Sequence, residues 1–252
     1  MRIFKESALL FKRKLLETLR QPVWIISDLI NPLLYILLFS PLLKNMADPA
    51  LTTAQVLDSF VPGILTLLAF STGMGSGWTI INELQSGVIE HFRVTPVSRF
   101  SILMGAVLND ILAFIVPGIL VLAIASFFGF EIHIPGLIIL MILLCLLTAM
   151  VSAWSGSLGL ILKQIGSLAA VVTGLQLPLT LLSGVLIPLS LGPKWLQAIA
   201  HINPMYYTVE ASRVLAGGVL GSTEMFVAFA VIIPLTLIVL TWATRVYRKA
   251  VA

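Results

Sequence analysis

The residues of this chain that could do chemistry are few. Their densest group is the polar interval Asn82 to Arg99, N-E-L-Q-S-G-V-I-E-H-F-R-V-T-P-V-S-R. It holds two acids (Glu83, Glu90), two arginines (Arg93, Arg99) and a histidine (His91). Such groups make ion pairs and set the register of a contact. Leu84, Val88, Ile89 and Phe92 recur at helical spacing, which predicts a short amphipathic helix. Thr95-Pro96 then biases the backbone away from helix. Two seats are open to the apolar face of that helix: the headgroup layer of a bilayer, or a groove on a soluble partner.

Other reactive chemistry is sparse. His91, His133 and His201 are far apart, and no metal-ligand spacing occurs. There is no G-x-x-x-x-G-K-[ST] phosphate loop and no G-x-S-x-G nucleophile elbow. Cys145 is the single cysteine, so a disulfide within the chain is excluded. Of the acids in the long apolar runs, Asp110 lies deepest, and Asp28 lies near an end. A carboxylate at the depth of Asp110 costs roughly 2.5–3.5 kcal/mol on insertion scales, so it must face protein or water. Two intramembrane acids are too few for an obvious proton relay.

The elements that position these groups follow from composition. Of 252 residues, 59% are hydrophobic and 10% charged, and the mean hydropathy is +1.07. Soluble domains carry about 25% charged residues, so the chain is expected to be an all-α polytopic membrane protein. Apolar runs predict six spans, at 23–43, 56–81, 101–128, 135–162, 165–186 and 223–242, each near the ~20 residues that cross a bilayer. Residues 1–22, with six Lys/Arg and leucines on one face, predict a basic amphipathic helix lying on the membrane surface. The 188–221 segment is too polar and broken to span. It predicts two short helices in an external or partly re-entrant hairpin, with Trp195, Tyr206 and Tyr207 at interface level. Asn203 is placed to cap the second of them, ahead of Pro204.

Twelve of the fifteen Lys/Arg fall at 2–20, Arg93, Arg99, Lys163 and the C-terminal tail. The positive-inside rule then puts both termini and the 82–99 interval in the cytosol. A net charge of +4 gathered at span ends speaks for lipid rather than nucleic acid. Gly73 and Gly77, four apart, predict close helix packing, as do Ser152, Ala153, Ser155, Gly156, Ser157 and Gly159. Neither stripe names its partner.

The order of these features is a basic N-terminal helix, six spans, an E-x6-E-x2-R-V-T-P-V-S-R loop after the second, and a hairpin carrying I-N-P-M-Y-Y-T-V-E-A-S-R. It resembles the type-two ATP-binding-cassette (ABC) exporter permeases, especially short drug and antibiotic exporters of the daunorubicin type, over nearly the whole chain. The resemblance implies a non-enzymatic permease subunit in a bacterial inner or plasma membrane. Its partners would be a second permease copy or paralogue and two cytosolic ATPase subunits, which bind the ATP and magnesium. The 82–99 loop would carry the coupling helix, with Glu83, Val88, Ile89, Glu90, His91, Phe92, Arg93, Thr95 and Pro96 meeting the ATPase. Residues 1–22 would be a gate helix beside it.

For a substrate pathway the candidates are Tyr35, Phe39, Phe70, Asp110 and Leu182. Packing or lipid contact explains the apolar ones equally well. Asp110 is either bonded to a neighbouring helix or a pathway group. Drugs, antibiotics and other amphipathic molecules fit the resemblance as cargo. A lipid-linked glycan exporter, or a secondary transporter driven by an ion gradient, are the alternatives.

Overall fold

The computed structural model describes residues 53–87, 98–185, 189 and 192–250, together with Leu10, Phe11, Lys14, Leu15, Ile30, Leu34, Leu37 and Leu38. Among the described residues there is no strand. Seven helices follow in order: α1 (Thr53–Gln85), α2 (Arg99–Phe127), α3 (Ile134–Leu162), α4 (Ile165–Leu181), α5 (Lys194–Ala200), α6 (Pro204–Ala216) and α7 (Thr223–Ala250). Among the described residues four stretches are long and apolar enough to cross a membrane: Phe60–Gln85, Arg99–Phe127, Ile134–Leu162 and Thr223–Ala250. The chain is therefore an all-helical polytopic membrane protein. Most of the expected first span lies outside the described residues; Ile30, Leu34, Leu37 and Leu38 within it are helical and exposed.

The helix ends have local causes. Ser98 caps α2 by accepting the Ser101 amide at 3.0 Å, so the helix begins two residues before the expected span. Lys163, at φ 57°, is a left-handed residue at the end of α3. It reverses the chain within Lys163-Gln164, and α4 begins at once. The expected fifth span reached residue 186, whereas α4 stops at Leu181 and turns through Gly184, at φ 74°. Its 17 residues rise about 25 Å, short of the ~30 Å hydrocarbon core. At the other end α7 runs past the expected residue 242, carrying Arg245, Arg248 and Lys249 on the same helix.

α3 is the central helix. It packs on α1, α7, α2 and α6, and its buried face runs from Gly136 to Leu160. The two stripes of small residues meet here. A Cβ on Gly73 would lie 2.8 Å from Val151 Cβ, and one on Gly159 2.7 Å from the Gly77 carbonyl. That approach admits hydrogen bonds between helices. Thr148 Oγ1 donates to Ala69 O at 3.2 Å. Ser155 Oγ donates to Met74 O at 2.6 Å and accepts the Gly77 amide at 3.2 Å.

The hairpin divides in two. α5 is superficial, with Trp195 64% and Ile199 44% exposed. α6 is sunk into the bundle, burying Met205, Val209, Ala211 and Leu215. Gly136 makes this possible, because a Cβ there would collide with the Leu215 carbonyl.

Candidate functional site

Two polar regions stand out in an otherwise apolar body. The first joins the end of α1 to the interior. Glu83, two residues before α1 ends, is 8% exposed. It pairs with Lys14 at 3.2 Å. Leu10, one turn earlier than Lys14, packs beside Ile102 and Leu103, and Gly105 leaves room for it: a Cβ there would sit 2.8 Å from Leu10 Cβ. This part of the basic N-terminal segment therefore lies on protein. Lys14 turns inward to a carboxylate; the rest of the expected surface helix lies outside the described residues. Glu83 was expected to meet an ATPase, and the structure occupies it within the chain.

Deeper in the same region, Asp110 on α2 is partly buried and accepts a hydrogen bond from Ser152 Oγ of α3 at 2.5 Å. Ser152 Oγ lies 3.3 Å from Ser76 Oγ of α1. Lys14 is an electrostatic neighbour of Asp110 as well, and buried Tyr247 of α7 has Glu83 and Asp110 as its own charged neighbours. Of the two readings open for Asp110, the geometry supplies the bond to a neighbouring helix.

The second region ties α6 to the end of α4. Asn203 accepts the Met205 amide at 3.0 Å, the expected cap. Its Nδ2 also donates to Leu179 O at 2.7 Å, a second function that the sequence pattern concealed. Arg213 donates to Gly184 O at 2.6 Å and pairs with Glu210 at 3.0 Å. Burial draws the Arg213 guanidinium below its ordinary pKa, against the opposing pull of Glu210. Burial, reinforced by Glu210, raises the Tyr206 hydroxyl. Tyr206, Tyr207 and His201 cluster with ring centroids 5.0–6.1 Å apart.

The other site candidates separate. Phe70 is 3% exposed and belongs to the main core cluster. Leu182 is partly buried at the end of α4. Tyr35, Phe39, Val88, Ile89, Glu90, His91, Phe92, Arg93, Thr95 and Pro96 lie outside the described residues. No cluster of three or more His, Cys, Asp or Glu suited to a metal occurs among the described residues.

Against this geometry the comparison with known proteins is decisive for the family. Residues 6–216 match the ABC-2 type transporter family. The chain belongs to it. The ABC-2 match takes in the Lys14–Glu83 pair, the Asp110 cluster and the whole of α6. Relatives agree. The chain is 33% identical over 216 residues to the ycf38 transport permease of Cyanophora paradoxa, covering 84% of this chain and 74% of that one. It is 25% identical over 231 residues to the daunorubicin resistance ABC transporter permease protein DrrB1 of Streptomyces coeruleorubidus, covering 90% and 81%. It is 28% identical over 206 residues to the inner membrane transport permease YadH of Escherichia coli strain K12, covering 81% and 77%. This ABC-2 chain is thus a membrane permease subunit of an ABC transporter, a family that typically works with ATPase subunits.

Proposed function

We propose that this permease exports amphipathic or lipid-like molecules, drugs and antibiotics among them, across a bacterial inner membrane, driven by ATP hydrolysed on two separate cytosolic subunits. The observation that carries the reading is the polar Asn82–Arg99 interval, which runs from the last turn of α1 to the start of α2 in a chain of this family that has no phosphate loop of its own. The helix expected there from the spacing of Val88, Ile89 and Phe92, with Glu90, His91 and Arg93 beside them, would supply an apolar surface to seat and charges to fix its register. Thr95 and Pro96 end that surface. ATP and magnesium bind the ATPase, and the permease supplies the path.

The name of the DrrB1 relative supports a drug-like cargo, and that of YadH supports the inner membrane. α4 supports a second permease, copy or paralogue. It buries just Leu168 and Val172 within its own chain and leaves Ile165, Leu175, Leu177 and Leu181 exposed. In the path, Tyr35, Phe39 and Leu182 remain the proposed cargo contacts. Phe70 and Asp110, packed within one chain, would reach cargo after the helices shift.

The test is co-expression with an ABC ATPase encoded beside it, followed by purification and daunorubicin uptake into inverted vesicles. The ATPase is expected to co-purify with the permease. ATP, and not an ion gradient, is expected to drive uptake. Glu90→Arg is expected to reduce both co-purification and stimulated hydrolysis. Uptake without the ATPase, or full co-purification and stimulation in Glu90→Arg, would refute the reading.

A further inference from the structure

The Lys14–Glu83 pair is unusual in its setting. Lys14 sits in a segment whose lysines and arginines would be expected to reach for water or headgroups. Instead its side chain is 14% exposed and that of Glu83 9%. A second contact holds the same face of the segment. Leu10, four residues before Lys14 and so on the same side of a helix, rests against the bare backbone of Gly105. Gly105 and Asp110 are five residues apart on α2, about 7.5 Å of rise. Asp110 itself is fixed by Ser152, and Ser152 adjoins Ser76. One ammonium is thus paired with a carboxylate at the end of α1 and has a carboxylate within α2 as an electrostatic neighbour, while α3 orients that second acid.

We infer that Lys14 is the counter-ion shared by Glu83 and Asp110, and that this pairing latches Leu10 and Lys14 across the end of α1 and the first half of α2. The latch explains three features together. Asp110 is tolerated within an apolar helix because a cation comes to it from another segment. Lys14 is turned inward because two acids hold it there. Gly105 has no side chain because Leu10 must lie close enough for Lys14 to reach. Lys14 is a positioning residue; it sets where its own turn, with Leu10, sits. If the proposed coupling loop moves with an ATPase, Glu83 is the first charged group it displaces. That consequence rests on the proposed function, but the latch does not.

The test needs neither cargo nor ATPase. The full-length chain in inside-out membrane vesicles is treated with a membrane-impermeant amine-acylating ester, and acylation is followed by peptide mass spectrometry. Lys163 and Lys249, both exposed, are the references. Lys14 is expected to react about tenfold more slowly than either, because it reacts only on local opening. Glu83→Gln should raise its rate severalfold. Asp110→Asn, which keeps an acceptor for Ser152, should raise it by a smaller factor, and the two together should raise it more than either alone. In the swap Lys14→Glu with Glu83→Lys, the amine now at position 83 should be the protected one. Acylation of Lys14 at the rate of Lys163 in the unaltered chain would overturn the latch. An unchanged rate in Asp110→Asn would overturn the shared counter-ion. Should the swap fail to accumulate in the membrane, the Asp110→Asn arm still decides.

Discussion

Replacing Gly159 by alanine adds one methyl group where α1 and α3 touch backbone to backbone. The new Cβ would stand 2.7 Å from the Gly77 carbonyl, against the 3.4 Å at which ordinary contact begins. No rotamer relieves a clash with backbone, so the helices must part by the difference. That movement strains both bonds of Ser155, to Met74 O and from the Gly77 amide. Bonds between membrane helices are worth about 0.6 kcal/mol each, so the two contribute about 1.2 kcal/mol. Overpacking adds about 1–3 kcal/mol, and the better helix propensity of alanine returns up to about 1 kcal/mol. The net expectation is a loss of about 1–3 kcal/mol. Gly75 is the internal control. It lies on the same helix as Gly77, two residues away, and a Cβ there meets nothing within 4 Å. Gly75→Ala should be neutral or slightly stabilising. Unfolding of the purified chain by SDS in mixed micelles, followed by tryptophan fluorescence, measures both. A Gly159→Ala protein as stable as the parent, or a Gly75→Ala protein as damaged as Gly159→Ala, would refute the pairing of these two faces.

Asn203→Ala should lose about 2 kcal/mol in the same assay, about 1 for the cap and the remainder for the Leu179 carbonyl left without its donor, while Asn203→Asp should recover the cap alone. Asp110→Leu, which leaves Ser152 only the longer contact to Ser76, should cost about 1–3 kcal/mol, and Asp110→Asn less than about 1; the reverse order would sink the assignment. Arg213→Ala should free the Gly184 turn, measured as faster proteolysis between α4 and α5, with Arg213→Lys intermediate. Tyr206 has a hydroxyl pKa raised above the ordinary 10, so it favours the folded state below pH 10 and loses that contribution as pH climbs past it. Tyr206→Phe should therefore flatten the fall in stability above pH 10.

The hairpin illustrates how far local pattern reached. Asn203-Pro204 marked the start of α6 correctly, because a cap and a first-turn proline are properties of adjacent residues. That α6 lies inside the bundle while α5 stays outside was not legible, since both carry apolar residues and the difference lies in what stands opposite. Gly136, the residue that admits the Leu215 carbonyl, drew no notice in a helix of 29 residues. The small-residue stripes were legible one at a time, on α1 and on α3, and their mutual contact was not. Glu83 read as a surface charge because its neighbours Asn82 and Gln85 are polar and exposed, whereas its partner lies some seventy residues earlier.

The sequence by itself determined the class of this protein: a helical membrane chain with basic residues gathered at the ends of its apolar runs. Run length and charge placement are one-dimensional quantities, and a bilayer reads them directly. Only the tertiary structure decided that Lys14 faces inward, that Asp110 answers to Ser152, and that Gly77 lies on Gly159. Each of these depends on how helices are rotated and shifted against one another. That arrangement is set by the summed packing of many side chains, and no single stretch of the chain encodes it.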